Sequence, residues 1–320
     1  MAIAGGLDRL DCKLLAELDA SSRDSLSQIS KKIRLGSDLV HYRFERLRER
    51  EIILRSSAII DFYRTGQTLF KVYLRLQNQP ERYKAIEKHL NRSLELHWFA
   101  RTHGSWDLIF SFYAENPKAA YEKLTSALEP YSTTIQQTAV LTVVSRIRFS
   151  GSFGIKRQRM KTVIGEEPDV ISLEPIELAL LKALENDART PVTSLAVKLK
   201  TTPAVIDYRR KKLEQQGIIN GYRLHINQRA LGLALYKLCL KLRSHNPKVL
   251  QAIEDFCRDS EYGVCVIHQL GEWLTELEVE VQSYQQLHEI VDALRTLLGD
   301  ALQAIDPLLV RDCYYLNRSE

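Results

Sequence analysis

The sequence predicts an α+β fold in which a small helical unit and a β-α-β-β-α-β unit alternate twice along one chain. Three observations predict it. Residues 40–53, "VHYRFERLREREII", and residues 206–219, "IDYRRKKLEQQGII", share an aliphatic residue, a Tyr-Arg pair, a Leu four beyond the Arg and an Ile-Ile end, 166 positions apart as Tyr42 and Tyr208 are. The same offset aligns residues 7–78 with 173–244 without a gap and brings Leu14 onto Leu180, Leu18 onto Leu184, Arg23 onto Arg189 and Lys71 onto Lys237. Within each copy, helical spacing of apolar residues gives way to strand-like alternation.

The elements follow in order. Leu10, Leu14, Leu15 and Leu18 mark a first helix, and Leu26, Ile29 and Ile33 a second. Gly36 is expected to end the second helix, and Ser37 to cap a third over about 37–50 with Val40 and Leu47 inward. In the second copy Thr202 is the expected cap, Pro203 sits at the first helical position, and Ile206 and Leu213 face inward. Two helices joined by a short turn, the second heavily charged, make a helix-turn-helix pattern. "IILRSSAIIDF" and "IINGYRLHINQ" read as a short strand pair or wing.

Next come a strand "LFKVYLRLQ", a helix over 81–90, two strands around Gly104, a helix over 117–129 and a strand "TIQQTAVLTVVSRIRF". The second copy repeats this as strand 235–243, helix 247–258, strands 262–268 and 273–281, helix 283–298 and strand 301–311. That order is ferredoxin-like. The expected plan is a winged helix-turn-helix over 1–65, a ferredoxin-like sensory domain over 66–150, a linker over 151–172, a second winged helix-turn-helix over 173–231 and a second sensory domain over 232–320. The sensory units are expected to pack sheet to sheet.

Composition fits a globular protein, with 45% hydrophobic and 27% charged residues. Five scattered cysteines without a C-x-x-C pair argue for reduced thiols and against a zinc ribbon. No apolar run reaches the length of a membrane helix, and "MAIAGGLDRLDCKLL" lacks a signal-peptide pattern, so a cytoplasmic protein is expected. The net charge of +5 is compatible with a polyanionic partner.

On these residues the chain resembles the Lrp/AsnC (feast/famine) family of transcriptional regulators, twice over. The second copy, "NDARTPVTSLAVKLKTTPAVIDYRRKKLEQQGIINGYRLHINQRALG", is the closer match, while Glu51 stands in the first copy where the second has Gly217. Such proteins carry one unit per chain and pair through the ferredoxin-like domain. The resemblance therefore implies a covalent pseudo-dimer that binds double-stranded DNA, senses an amino-acid-like effector and assembles into homo-oligomers through its ferredoxin-like domains.

The residues placed to reach DNA are Ser37, His41, Tyr42, Arg43 and Arg46 in the first copy, and Thr202, Asp207, Tyr208, Arg209, Arg210 and Lys212 in the second. Since the two sets differ, two non-identical half-sites are expected. A charged helix face is commonly just a solvated one, and Arg43 and Arg209 have an alternative role as partners of carboxylates in their own domains. By position, the resemblance nominates Thr102, Gly104, Trp106 and Asp107, and Gln269, Gly271 and Trp273, for effector binding. The alternative is that Trp106 and Trp273 pack the strand interface.

The sequence contains no phosphate-binding loop, G-x-S-x-G, metal spacing or clear Cys/His couple, so no enzyme, cofactor or metal is expected. One enzymatic alternative survives. Sirohaem decarboxylases are similar in fold, and "HWFARTH" keeps their Trp-Phe strand at Trp98-Phe99, although "NRSLEL" stands where their preceding motif belongs. An architectural protein with one inactive DNA-binding domain is the other alternative.

Overall fold

The computed structural model describes residues 6–77, 80–165 and 169–315. The first head is built from α1 (Arg9–Ala20), α2 (Leu26–Ile33) and α3 (Ser37–Glu49). Leu14, Leu15, Leu18, Ile29, Val40 and Leu47 are wholly buried, as their helical spacing requires. Asp8 and Ser25 open α1 and α2 through capping boxes with Asp11 and Gln28, which satisfy amides that have no partner within the helix. Ser37 is the first residue of α3 and not its cap; Gly36 holds that position and offers no side chain to it. Glu51 takes φ +53°, the left-handed conformation that Gly217 takes at φ +67°. Because a side chain there costs about 1 kcal/mol, Glu51→Gly is expected to raise the urea midpoint without altering the fold.

Then follow β1 (Ile53–Ile60), β2 (Thr68–Leu76), α4 (Pro80–Ser93), β3 (Trp98–His103), β4 (Leu108–Ala114), α5 (Pro117–Leu128) and β5 (Ile135–Phe149). The connecting segment contributes β6 (Lys161–Ile164), which lies along β5. The series repeats as α6 (Pro175–Asn186), α7 (Val192–Lys198), α8 (Pro203–Gln215), β7 (Ile219–Ile226), β8 (Ala234–Leu242), α9 (Pro247–Asp259), β9 (Gly263–Leu270), β10 (Thr275–Val281), α10 (Tyr284–Leu298) and β11 (Leu302–Tyr315). Two winged helix-turn-helix heads thus alternate with two ferredoxin-like units.

One expectation is corrected. The wing of each head is no local hairpin: β1 pairs antiparallel with β7, one strand from each copy, with Ser57 opposite Arg223. Those two residues are equivalents in the repeat, so a pseudo-twofold axis passes between them. Each strand also completes the other head's core. Ala58 and Ile60 pack with Leu180, Leu184 and Leu213, while Leu224 packs with Leu14, Leu18 and Leu47.

The inner faces of the two sensory sheets pack on each other, Tyr73, Ile109 and Leu141 of one meeting Cys239 and Leu308 of the other, and the sheets also join edge to edge in the order β2-β4-β3-β11-β8-β10-β9-β5, with β5 closing the ring by pairing with β2. The long strands make this possible. The first half of β5 pairs with β2 and its second half with β9; β11 likewise serves β8 and then β3. A strand of 14 or 15 residues outruns a single ferredoxin-like sheet, and its free length finds the other copy's edge. The helices cover the outside of this barrel, while Tyr73, Trp106, Ile109, Leu141, Trp273 and Leu308 fill its inside.

Candidate nucleic-acid interface and the cavity behind it

Helices α3 and α8 each turn one face to solvent. Ser37, His41, Thr202 and Ala204 are exposed, and Tyr42 and Tyr208 retain 63% and 69% of their surface. The N-terminal half of each reading helix is therefore open to a double helix. Phe44, by contrast, is buried beneath the guanidinium of Arg189, 5.1 Å from its ring.

Arg43, Arg46, Arg209 and Arg210 of these helices are held by carboxylates of their own heads, while Arg48 stays exposed. Arg43 Nη1 donates to Asp8 and Asp11 at 2.7 and 2.8 Å, and Arg46 Nη2 to Asp11 at 2.6 Å. At the same places in the second head, Arg209 meets Glu174 and Glu177 at 2.8 and 3.3 Å. Lys212 meets Glu177 at 2.9 Å, and Arg210 lies between Asp207 and Glu214 at 2.6 and 2.7 Å. Hydrogen bonds from Lys211 and Arg210 hold the Asp207 carboxyl down at about 2. The capping acid of the first helix thus clasps the reading helix in both heads. Arg209→Ala is expected to lower the melting temperature of the chain and to reduce DNA binding only in step with the unfolded fraction; circular dichroism melts beside gel shifts on one preparation check this.

A reciprocal clasp ties the heads together. Arg23 donates to the Ala188 carbonyl, and its equivalent Arg189 donates to the carbonyls of Ser22 and Asp24 at 2.7 and 3.0 Å. With the β1–β7 ribbon, it fixes the separation of α3 and α8.

The glycine turns meet the opposite copy. A Cβ on Gly104 (φ +141°) would lie 2.8 Å from Leu308 Cδ2, and one on Gly271 (φ +151°) 2.7 Å from Leu141 Cγ. Trp106 and Trp273 are sealed in the barrel, their rings 6.2 Å apart and 5.9 and 4.8 Å from the ring of Tyr73. Thr102 Oγ1 donates to the Trp106 carbonyl at 2.6 Å, Asp107 Oδ2 accepts from the Leu76 amide at 2.8 Å, and Gln269 is buried 3.4 Å from Glu276. Trp106 and Trp273 therefore pack the barrel's interior, the alternative weighed for them from the sequence.

A charged quartet lies inside the barrel. Lys71 Nζ reaches Glu276 at 2.6 Å, Tyr73 Oη donates to the same carboxylate at 2.5 Å, and Lys237 bridges Glu276, at 2.9 Å, to Glu278. All five side chains are buried. Burial alone would raise the Glu276 carboxyl; Lys237 and Lys71 outweigh it and hold that group below the ordinary carboxylate range. The lysines move in opposite directions. Burial lowers Lys71, which faces Ser111 where its equivalent Lys237 faces Glu278. Lys237 is raised despite burial because both carboxylates contact it.

Where the barrel end meets the β1–β7 ribbon, a cleft of about 240 Å³ is lined by Arg55, Arg146, Arg148, Arg223, His225 and Trp98. Two smaller pockets share its residues, and both include His97. Burial, followed by the four surrounding arginines, drives the His225 pKa well below the usual histidine value and leaves the ring neutral. Its Nε2 lies 2.7 Å from Ser57 Oγ. Arg148 holds Asp19 of α1 at 2.7 Å, and Arg55 donates to the Glu185 and Asn186 carbonyls of α6 at 2.9 and 3.1 Å. None of these arginines was singled out from the sequence, where they are spread from position 55 to 223; the one local sign was "SRIRF", which sets Arg146 and Arg148 on the same face of a strand.

Paired reading helices on a ferredoxin-like barrel define a class of helix-turn-helix DNA-binding proteins, and the comparisons point the same way. The "Winged helix-turn-helix DNA-binding" family matches residues 173–220. Regulatory protein AsnC of Haemophilus influenzae is 28% identical over 144 residues, covering 43% of this chain and 91% of that protein. The HTH-type transcriptional regulator LrpA of Pyrococcus horikoshii is 45% identical over 56 residues, 18% of this chain and 40% of that one. The chain thus resembles regulators of the Lrp/AsnC type. In fold alone, it also superposes along 95% of its length on 91% of the siroheme decarboxylase NirDL, with a TM-score of 0.63 at 10% identity. Among the described residues no helix is long and apolar enough to cross a membrane, and no group of metal-ligating side chains converges.

Proposed function

We propose that the protein is a sequence-specific transcriptional regulator whose two heads read two unlike half-sites on one face of a DNA duplex. The observation that carries this is the outward pair Tyr42 and Tyr208, on equivalent turns of helices held at fixed separation by the ribbon and the arginine clasp. Two modest readers on one rigid body act at high effective concentration, so neither has to bind tightly alone. The tyrosines and their neighbours Ser37, His41 and Thr202 would read base edges. Lys31 and Lys198, exposed on the preceding helices, would meet phosphates.

The test is selection from a randomised duplex library followed by gel shifts over a salt series. The expected result is an asymmetric site whose affinity falls steeply with salt, roughly a thousandfold from 50 to 200 mM if six phosphates are met. Tyr208→Ala should relax one half-site and Tyr42→Ala the other, each costing about tenfold in affinity. A folded protein that selects no sequence and shifts no duplex at low salt ends this reading.

A second reading is favoured by one observation, the cleft in which Trp98 and the neutral His225 adjoin four arginines, with His97 lining the pockets beside it. NirDL, whose fold this chain shares, is a siroheme decarboxylase, and a cleft of this charge suits a substrate bearing several carboxylates. Anaerobic incubation with sirohaem, followed by mass spectrometry, decides it: loss of carbon dioxide from the substrate supports an enzyme, and an unchanged substrate removes that reading.

A further inference from the structure

We infer that the cleft between the barrel and the β1–β7 ribbon binds a small molecule with two or more carboxylates, gripped by Arg146, Arg148 and Arg223, and that occupancy is transmitted to both heads. The transmission half rests on the DNA-binding reading; the binding half does not.

Charge supports it first. Four guanidiniums converge on a space of about 240 Å³. The quartet inside the barrel contributes no net charge, since Lys71 and Lys237 balance Glu276 and Glu278. Of the nearby acids, Asp19 is engaged by Arg148 and by the Gly151 amide at 2.7 Å. Glu280, whose carboxyl burial raises, accepts from Gln228 Nε2 at 3.3 Å, and these two acids are fewer than the four guanidiniums. The cleft is therefore left with an excess of positive charge in a site partly shut off from solvent. Planar guanidiniums pair with carboxylates through two parallel hydrogen bonds, and several aimed at one space select a ligand with several such groups. His225, kept uncharged, adds a polar contact without adding repulsion. The indole of Trp98 lines the same wall, already lying 4.6 Å from Lys237 Nζ.

Connectivity supports the second half. Asp19 and Glu185 are equivalents in the repeat and lie in the last turns of α1 and α6, the first helices of the two heads. Arg148 holds Asp19, while Arg55 donates to the Glu185 carbonyl and His97 Nδ1 lies 3.6 Å from its carboxylate. Cleft residues thus tie the first head to the barrel through Arg148 and the second head to the ribbon through Arg55. A ligand carboxylate competing for Arg148 or Arg55 loosens the anchor of each head, and differential contact of this kind is what couples a site to a distant equilibrium.

The experiment is isothermal calorimetry on the full chain with two probes of different size, citrate and metal-free uroporphyrin III, with glucose as an uncharged control. One polycarboxylate is expected to bind saturably at one per chain with a dissociation constant of roughly 100 μM or tighter, quenching Trp98. Which probe binds tells a small polyacid from a tetrapyrrole. Arg223→Gln and Arg146→Gln, each confirmed folded by its melting curve, should weaken binding about tenfold, and Arg223→Lys should recover part. Absence of heat with both polyacids, or binding unchanged in both glutamine variants, overturns the site. If the ligand binds but DNA affinity stays constant on the selected duplex, the transmission is overturned and the site stands. If no DNA is bound at all, the calorimetry still decides the site.

Discussion

Replacing Glu276 with leucine is expected to destabilise the chain by about 3–5 kcal/mol, the cost of stripping a buried cation of its partner. Glu276 has no exposed surface and is shared by Lys71, Lys237 and Tyr73. Leucine fills similar volume, so the loss reflects charge more than packing. Lys237 retains Glu278 in direct contact, whereas Lys71 faces Ser111 and feels Glu278 only across a distance. The second substitution Lys71→Met should therefore restore much of the stability, which urea denaturation of the single and double variants measures. An equal loss in E276L and E276L/K71M would show that Lys71 is not the strained partner.

The same carboxylate sets a pH signature. Its folded-state pKa lies below the ordinary value, so the stability it confers is complete above the unfolded value of about 4.3 and is lost as pH falls toward the folded one. Between pH 5 and pH 2 the wild type should lose stability more steeply than the E276L/K71M variant.

Gly271→Ala comes next in size. At φ +151° the backbone is in a region that only glycine occupies comfortably, and the new methyl carbon would start 2.7 Å from Leu141 Cγ and 3.2 Å from the Val140 carbonyl oxygen. Strain in such a conformation costs of order 1–3 kcal/mol, and overpacking against a strand adds about 1–3 kcal/mol. A loss of roughly 3 kcal/mol is expected from the two terms. Leu141→Ala in the same chain should relieve the clash and leave the strain. Gly104→Ala should behave alike against Leu308, because the two contacts are equivalents across the pseudo-twofold axis.

Much of this architecture could be read from local pattern. The 166-residue offset, the leucine spacing of α1 and α6 and the alternation of the strands gave every major element, and Arg43 and Arg209 had an intramolecular carboxylate among their stated alternatives. What escaped was which edges meet. Nothing in "IILRSSAIIDF" distinguishes a hairpin partner close by from one 166 residues away, because both satisfy the same backbone donors. The length of β5 carried the clue to barrel closure. The cleft was illegible for a related reason: Arg55, Arg146, Arg148 and Arg223 converge only after β1 and β7 have crossed between copies. At the glycine turns the sequence showed a need for bare backbone but not the leucine of the other half that approaches each of them.

The exchange of β1 and β7 also bears on how the chain is made. The core of the first head, which ends at Ile53, stays incomplete until Leu224 arrives. At about 5–20 residues per second, a ribosome needs roughly ten to thirty seconds to deliver it. During that wait Leu14, Leu18 and Leu47 have one flank uncovered, so the nascent chain presents the profile of a chaperone client well before either reading helix can meet DNA.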